Sequence, residues 1–208
     1  MSNYIEISSD TGKTIVNNTW HNLSLSRKYT LRGSKSYKIP ISPAELIAIQ
    51  IQQSNMWAYI DRDPNYAYIN MDGTPVEFEI NNPASSLTCI AYVFGENKGT
   101  SNCGLEIYND NGTQIFSSAL KYLKPVDCIT LSLGEQRTYG VPIAAACAAP
   151  WTEDTNGEVF ERFAYKMQNT NTIKKISVGG TVDAVDDMRY PSGDFGDCSM
   201  LIIDVTNF

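Results

Sequence analysis

The chain has 208 residues, a formal charge of −7, 42% hydrophobic and 19% charged residues. That balance excludes a disordered polyelectrolyte, and the acidic surplus argues against a nucleic-acid binder, whose phosphates call for a Lys/Arg face. The run nearest to a membrane span, Val141 to Ala149, is far too short to cross a bilayer as a helix.

The opening reads as a hairpin. Tyr4-Ile5-Glu6-Ile7 alternates, Ser8 to Gly12 turns, and Lys13-Thr14-Ile15-Val16 returns. Tyr37 to Ile41 reads as strand, at a sheet edge or at a strand start, because it contains Pro40. Pro43 to Leu46 offers at most a helical turn. Further strands are expected at Leu46–Gln52, Met56–Ile60, Tyr66–Asn70, Val76–Ile80 and Leu87–Phe94, separated by turn clusters rich in Asp, Asn, Pro and Gly. The polar stretch Gly95 to Asn102 reads as a boundary.

After it the opening recurs. Leu105-Glu106-Ile107-Tyr108, Asn109-Asp110-Asn111-Gly112 and Thr113-Gln114-Ile115-Phe116 spell a second hairpin, with Gly112 supplying the positive φ that the turn needs. Tyr4–Leu31 aligns without a gap on Gly104–Leu131 at an offset of 100, with identities at Glu6/Glu106, Ile7/Ile107, Asp10/Asp110, Gly12/Gly112, Ile15/Ile115, Leu23/Leu123, Thr30/Thr130 and Leu31/Leu131. Tyr37–Ile41 matches Tyr139–Ile143 more loosely. Ala144 to Ala149 is strand or helix, since an alanine run has no readable period. Glu158–Lys166, Ile173–Val178 and Met200–Val205 complete the expected strands. The fold class expected is all-β: two tandem antiparallel β-sandwich or barrel-like domains, 1–100 and 101–208, related by internal duplication.

Chemistry is sparsely spelled. Asp10-Thr11-Gly12 has the triplet of an aspartic protease half, but the second copy reads Asp110-Asn111-Gly112 and both sit where a turn is already required. His21, the only histidine, aligns with Lys121 and reads as a surface residue. The acidic groups Asp61/Asp63, Asp183/Asp186/Asp187 and Asp194/Asp197 lack calcium-loop spacing. No catalytic residue, metal site or cofactor is expected. The five cysteines are odd in number, without C-x-x-C spacing, and read as reduced thiols in a chain without a secretory opening. The aromatics Trp57, Tyr59, Tyr66 and Tyr68 alternate across a hairpin; such rings most often pack a core, and otherwise offer a platform for a sugar or a protein. Trp151, at the root of a polar loop, completes the expected contact surface.

The second opening, Gly104 to Ser118 followed by Tyr122-Leu123-Lys124-Pro125-Val126, resembles small tail and tail-tip structural proteins of lambda-like, long-tailed bacteriophages. The likeness rests on the Gly-Leu strand, the Asn-x-x-Gly turn, the apolar-Phe return and the small polar step; Ser117 stands where that family has aspartate. The resemblance implies a non-enzymatic virion component of the tail tip, a fibre junction or the minor tail proteins, assembled in the bacterial cytoplasm. It implies other tail proteins as partners, and a homo-oligomer in a symmetric ring fits it. The alternative expectation is a carbohydrate- or receptor-binding module that meets a host surface through its aromatics.

Overall fold

Alternating apolar residues and Asx/Gly turns dictate short antiparallel strands. The computed structural model describes residues 6–8, 14–17, 22–33, 35–54, 56–73, 87–96, 98–99, 104–132, 134–147, 152–155, 159–168, 170–177 and 199–208. Among these residues are seventeen strands and no helix. The first half holds β1 (Glu6–Ser8), β2 (Thr14–Asn17), β3 (Ser24–Arg32), β4 (Lys35–Pro40), β5 (Leu46–Ile51), β6 (Met56–Arg62), β7 (Tyr66–Gly73) and β8 (Thr88–Gly95). The second holds β9 (Glu106–Tyr108), β10 (Gln114–Ser117), β11 (Pro125–Thr130), β12 (Gln136–Thr138), β13 (Ile143–Cys147), β14 (Thr152–Thr155), β15 (Val159–Gln168), β16 (Thr172–Ser177) and β17 (Ser199–Asp204). The expected strand Val76–Ile80 lies outside the described residues.

β1 pairs with β2 and β9 with β10, each pair as a hairpin, and the turn of the second lies among the described residues. Gly112 has φ +74°, its N–H donates to Asn109 O at 2.9 Å, and Asn109 Oδ1 accepts from Thr113 N at 2.8 Å. The pairs Glu6↔Asn17, Ile7↔Val16 and Ser8↔Thr14 recur, each shifted by 100, as Glu106↔Ser117, Ile107↔Phe116 and Tyr108↔Gln114. In both hairpins one residue, Ile15 or Ile115, is left unpaired as a bulge. Each hairpin forms its own two-stranded sheet.

The remaining strands build two larger sheets. One has the order β11-β17-β13-β5-β8-β3, the other β12-β16-β15-β6-β7-β4, with β14 added on β15. In each, three adjacent strands come from the first half and three from the second. Read inward from the two edges, β3-β8-β5 answers β11-β17-β13, and β4-β7-β6 answers β12-β16-β15. The registers agree in detail: Leu25↔Phe94, Arg27↔Val93, Lys28↔Tyr92 and Thr30↔Ile90 have the counterparts Pro125↔Ile203, Asp127↔Ile202, Cys128↔Leu201 and Thr130↔Ser199. The register breaks at the same place in both, between Leu25 and Arg27 and between Pro125 and Asp127.

The two halves do not stand apart as separate sandwiches over 1–100 and 101–208. β5 pairs with β13 through Ile49↔Ala145, and β6 pairs with β15 through Ala58↔Tyr165 and Trp57↔Lys166. One apolar cluster fills the space between the large sheets and draws on both halves, including Ile49, Ile51, Ala58, Ile69 and Val93 with Ile129, Leu131, Met167, Ile173 and Ile202. Main-chain Ile51 N–H donates to Met167 Sδ at 3.2 Å across it. The six-stranded sheet is apolar on its outer face as well, where Ala48, Tyr92, Phe94, Ala144, Ala146 and Ile203 pack with Leu23, Leu123 and Phe208. Leu123 N–H donates to Leu23 O at 2.9 Å, so the segments leading into β3 and β11 meet over that face at equivalent leucines. Pro43 and Ala44 form a turn rather than a helix, closed by Glu45 N–H on Ser42 O at 3.0 Å. Of the alanine run, Ala144–Cys147 belongs to strand β13 and Ala148–Ala149 lie outside the described residues; the stretch before it, Tyr139–Pro142, is irregular, with Pro142 directly ahead of the strand.

Candidate functional site

The β6–β7 hairpin sorts its side chains by alternation. Met56, Ala58, Ile60, Ala67, Ile69 and Met71 are buried between the sheets, which turns Trp57, Tyr59, Tyr66 and Tyr68 to the outer face of the seven-stranded sheet. These four rings are half-buried on that outer face and lie outside the apolar cluster between the sheets. Trp57 and Tyr59 lie nearly parallel, 8° between planes and 6.0 Å between centroids. Tyr66 and Tyr68 are tilted by 48° at 6.4 Å. Trp151 lies outside the described residues, as do Asp10–Gly12, His21, Cys103, Cys198 and the acidic groups at 183–187 and 194–197.

Polar groups fix this patch in place. Lys38, opposite Tyr68 on β4, sets its ammonium 3.8 Å from the Tyr66 ring centre and 5.6 Å from that of Tyr68. The Tyr68 hydroxyl donates to Asp63 Oδ2 at 3.0 Å, while Asp63 Oδ1 accepts from Asn65 N and Tyr66 N, both at 2.7 Å. The Asn65 N–H bond, then those from Tyr68 and Tyr66 and the charge of Lys38, holds the Asp63 carboxyl below the usual carboxylate range against partial desolvation. Asn70 opposes Tyr59, and by register Asp61 opposes Tyr68 and Asp72 opposes Trp57.

The second half of the same sheet carries a different set. Lys166 opposes both Trp57 and Lys174, and Ala164 opposes Ile176. No aromatic residue stands at these outward positions of β16, where Lys174 and Ile176 are half-buried.

Other features are less suited to binding. Asp110 and Asn111 occupy the exposed β9–β10 turn. A cleft of about 90 Å³ between that hairpin and the β8 end is lined by Asn22, Glu96, Lys98, Gln114, Ile115 and Tyr122, room for little beyond water. Among the described residues, no cluster of His, Cys, Asp and Glu is placed to hold a metal. Cys89 is a buried thiol pushed up to about 12 by burial, and Cys128 is an exposed free thiol. Sequence reasoning missed one feature: Leu105, Tyr108 and Val126 are the large hydrophobic residues that stand exposed among the described residues, at 51, 50 and 44%. The offset of 100 was the available signal, since Ser8 and Ser26 occupy the first-copy positions of Tyr108 and Val126. Compared with family models, curated proteins and solved structures, the chain matches none.

Proposed function

We propose that this chain is a structural component of a bacteriophage virion, at the tail tip, at a fibre junction or as a minor tail protein, acting through protein–protein contacts. The observation that carries the reading is the repeated hairpin. Within the stretch that resembles lambda-like tail proteins, Glu106–Ser117 folds as one hairpin, and its first-copy counterpart has the same register and the same bulge. The mirrored strand orders of both sheets support a tandem duplication of one β-unit, with its copies fused edge to edge. Leu105, Tyr108 and Val126 give the second copy exposed apolar groups for a neighbouring tail protein or a further copy in a ring to cover. The reading places the chain in the particle, after synthesis in the bacterial cytoplasm. Mass spectrometry of purified particles tests it: the chain is expected at a fixed ratio to the other tail proteins. Recovery as a free monomer, with none in particles, overturns it.

A second reading is favoured by the aromatic face. Trp57, Tyr59, Tyr66 and Tyr68 on an outer sheet surface suit a module that meets a host-surface receptor or a carbohydrate. Binding of the full chain to host cells, lost on Trp57→Ala, tests it; binding unaltered by that change removes the basis of the reading.

A further inference from the structure

We propose that the first-copy half of the seven-stranded sheet's outer face is a binding site for a neutral glycan, and that each chain holds one such site. The inference rests on the second reading above and names its ligand class and its number.

Three observations lead to it. The first is the chemistry of the face. A pyranose has an apolar C–H side and a rim of hydroxyls that both donate and accept. Trp57, Tyr59, Tyr66 and Tyr68 offer ring surface for the first. Lys38, Asn70 and Asp63, placed beside the rings, supply donors and acceptors of both signs for the second. A face mixing ammonium and carboxylate groups gives no advantage to an anionic ligand over a neutral one.

The second is preorganisation. Asp63 takes three hydrogen bonds, one of them from Tyr68, and Lys38 lies against both Tyr66 and Tyr68. Side chains already held by their neighbours lose little freedom on binding, which is what a small ligand with few contacts requires. The large hydrophobics that stand exposed among the described residues, where a protein partner would find anchors, lie instead on the β9 hairpin and on β11.

The third is broken symmetry. The two halves repeat in strand order, yet the face opposite the rings carries Lys174 and Ile176, with Lys166 at the register position beside Trp57. Rings needed only for folding would be expected at both sets of positions. Their presence on one half marks a specialised surface and sets the stoichiometry at one.

The test uses the full chain on an array of neutral and anionic oligosaccharides, followed by calorimetric titration of the strongest neutral hexasaccharide. Saturable binding at one site per chain is expected, weakened about tenfold or more by Trp57→Ala and unchanged by Lys174→Ala. Should Trp57→Ala fail to fold, as judged by circular dichroism, Trp57→Gln and Tyr59→Ser take its place. No neutral ligand on the array, preference for anionic glycans, two sites per chain, or affinity indifferent to all three aromatic changes overturns the proposal. Particle composition separates the readings: a chain present in virions but blind to glycans loses only this site, and a glycan-binding chain absent from virions loses only the virion role.

Discussion

Replacing Ile49 by alanine tests whether the two halves form one cooperative body. Ile49 is 1% exposed, pairs with Ala91 of β8 on one side and Ala145 of β13 on the other, and belongs to the cluster that both halves fill. The change removes three carbons. At about 0.8 kcal/mol per buried methylene that is about 2.4 kcal/mol of transfer free energy. A cavity at a junction between paired strands collapses poorly, which raises the expected loss to about 3–4 kcal/mol. For a chain of this length the melting temperature should fall by about 10 °C. Urea unfolding followed by tryptophan fluorescence and by far-UV circular dichroism is the assay. One transition is expected, coincident in both probes, moved to lower urea with its slope kept. Two transitions of which only one moves would mean that Ile49 serves one half alone, and a loss below about 1 kcal/mol would mean that it is not packed in a shared core; either refutes the reasoning.

Gly99 should resist substitution: a Cβ there would stand 2.7 Å from Leu120 Cγ and 2.9 Å from its Cδ2, beside a main chain whose N–H and C=O both bond the Gln114 amide. Gly99→Ala is expected to cost about 1–3 kcal/mol and to raise hydrogen exchange across Gln114–Ser118. Phe208 packs edge-on against Phe94 at 5.6 Å and Tyr92 at 6.3 Å, and Lys28 Nζ bonds its main-chain oxygen at 2.9 Å. Phe208→Ala should lower stability by about 2 kcal/mol, measured by urea unfolding. At Asp127, partial desolvation is outweighed by bonds from Arg137, Tyr139 and Cys128 N, so the carboxyl lies below its ordinary value. Its stabilising contribution is therefore complete above the unfolded value of about 3.9 and disappears as the pH falls through the lower folded value. A flatter acid limb of the melting profile is expected for Asp127→Asn; an unchanged limb would contradict the assignment.

Local signals were legible where a single turn decides the structure. Asn109 and Gly112 specify the second hairpin almost alone, and the offset of 100 in the sequence reappears as equal registers. The seam between the halves was not legible, because pairing of β5 with β13 joins segments about 95 residues apart and depends on nothing in either neighbourhood. The alanine run could not be read by period for a physical reason visible at that seam. Ala145 faces the inner cluster while Ala144 and Ala146 face the outer one, so both sides of β13 are apolar and the alternation vanishes. β3 and β11 escaped notice because their exposed positions carry Ser26, Lys28, Thr30 and Arg32 or Cys128 and Thr130, while half-buried Arg27 and Asp127 interrupt the apolar row on the other side. The aromatic residues alternate equally well for either face; only the small and aliphatic residues between them, Ala58, Ile60, Ala67 and Ile69, decide which side goes inward.

The paired interruptions at Leu25/Arg27 and Pro125/Asp127 have a consequence for how this molecule tolerates crowding. They lie on the outermost strands of the six-stranded sheet, where a straight backbone would offer a row of vacant amides and carbonyls to any passing chain. A kink at each rim, one of them reinforced by a proline with no N–H to give, spoils the template for fibril growth. Concentrated solutions of the protein are expected to resist strand-to-strand polymerisation at these two rims.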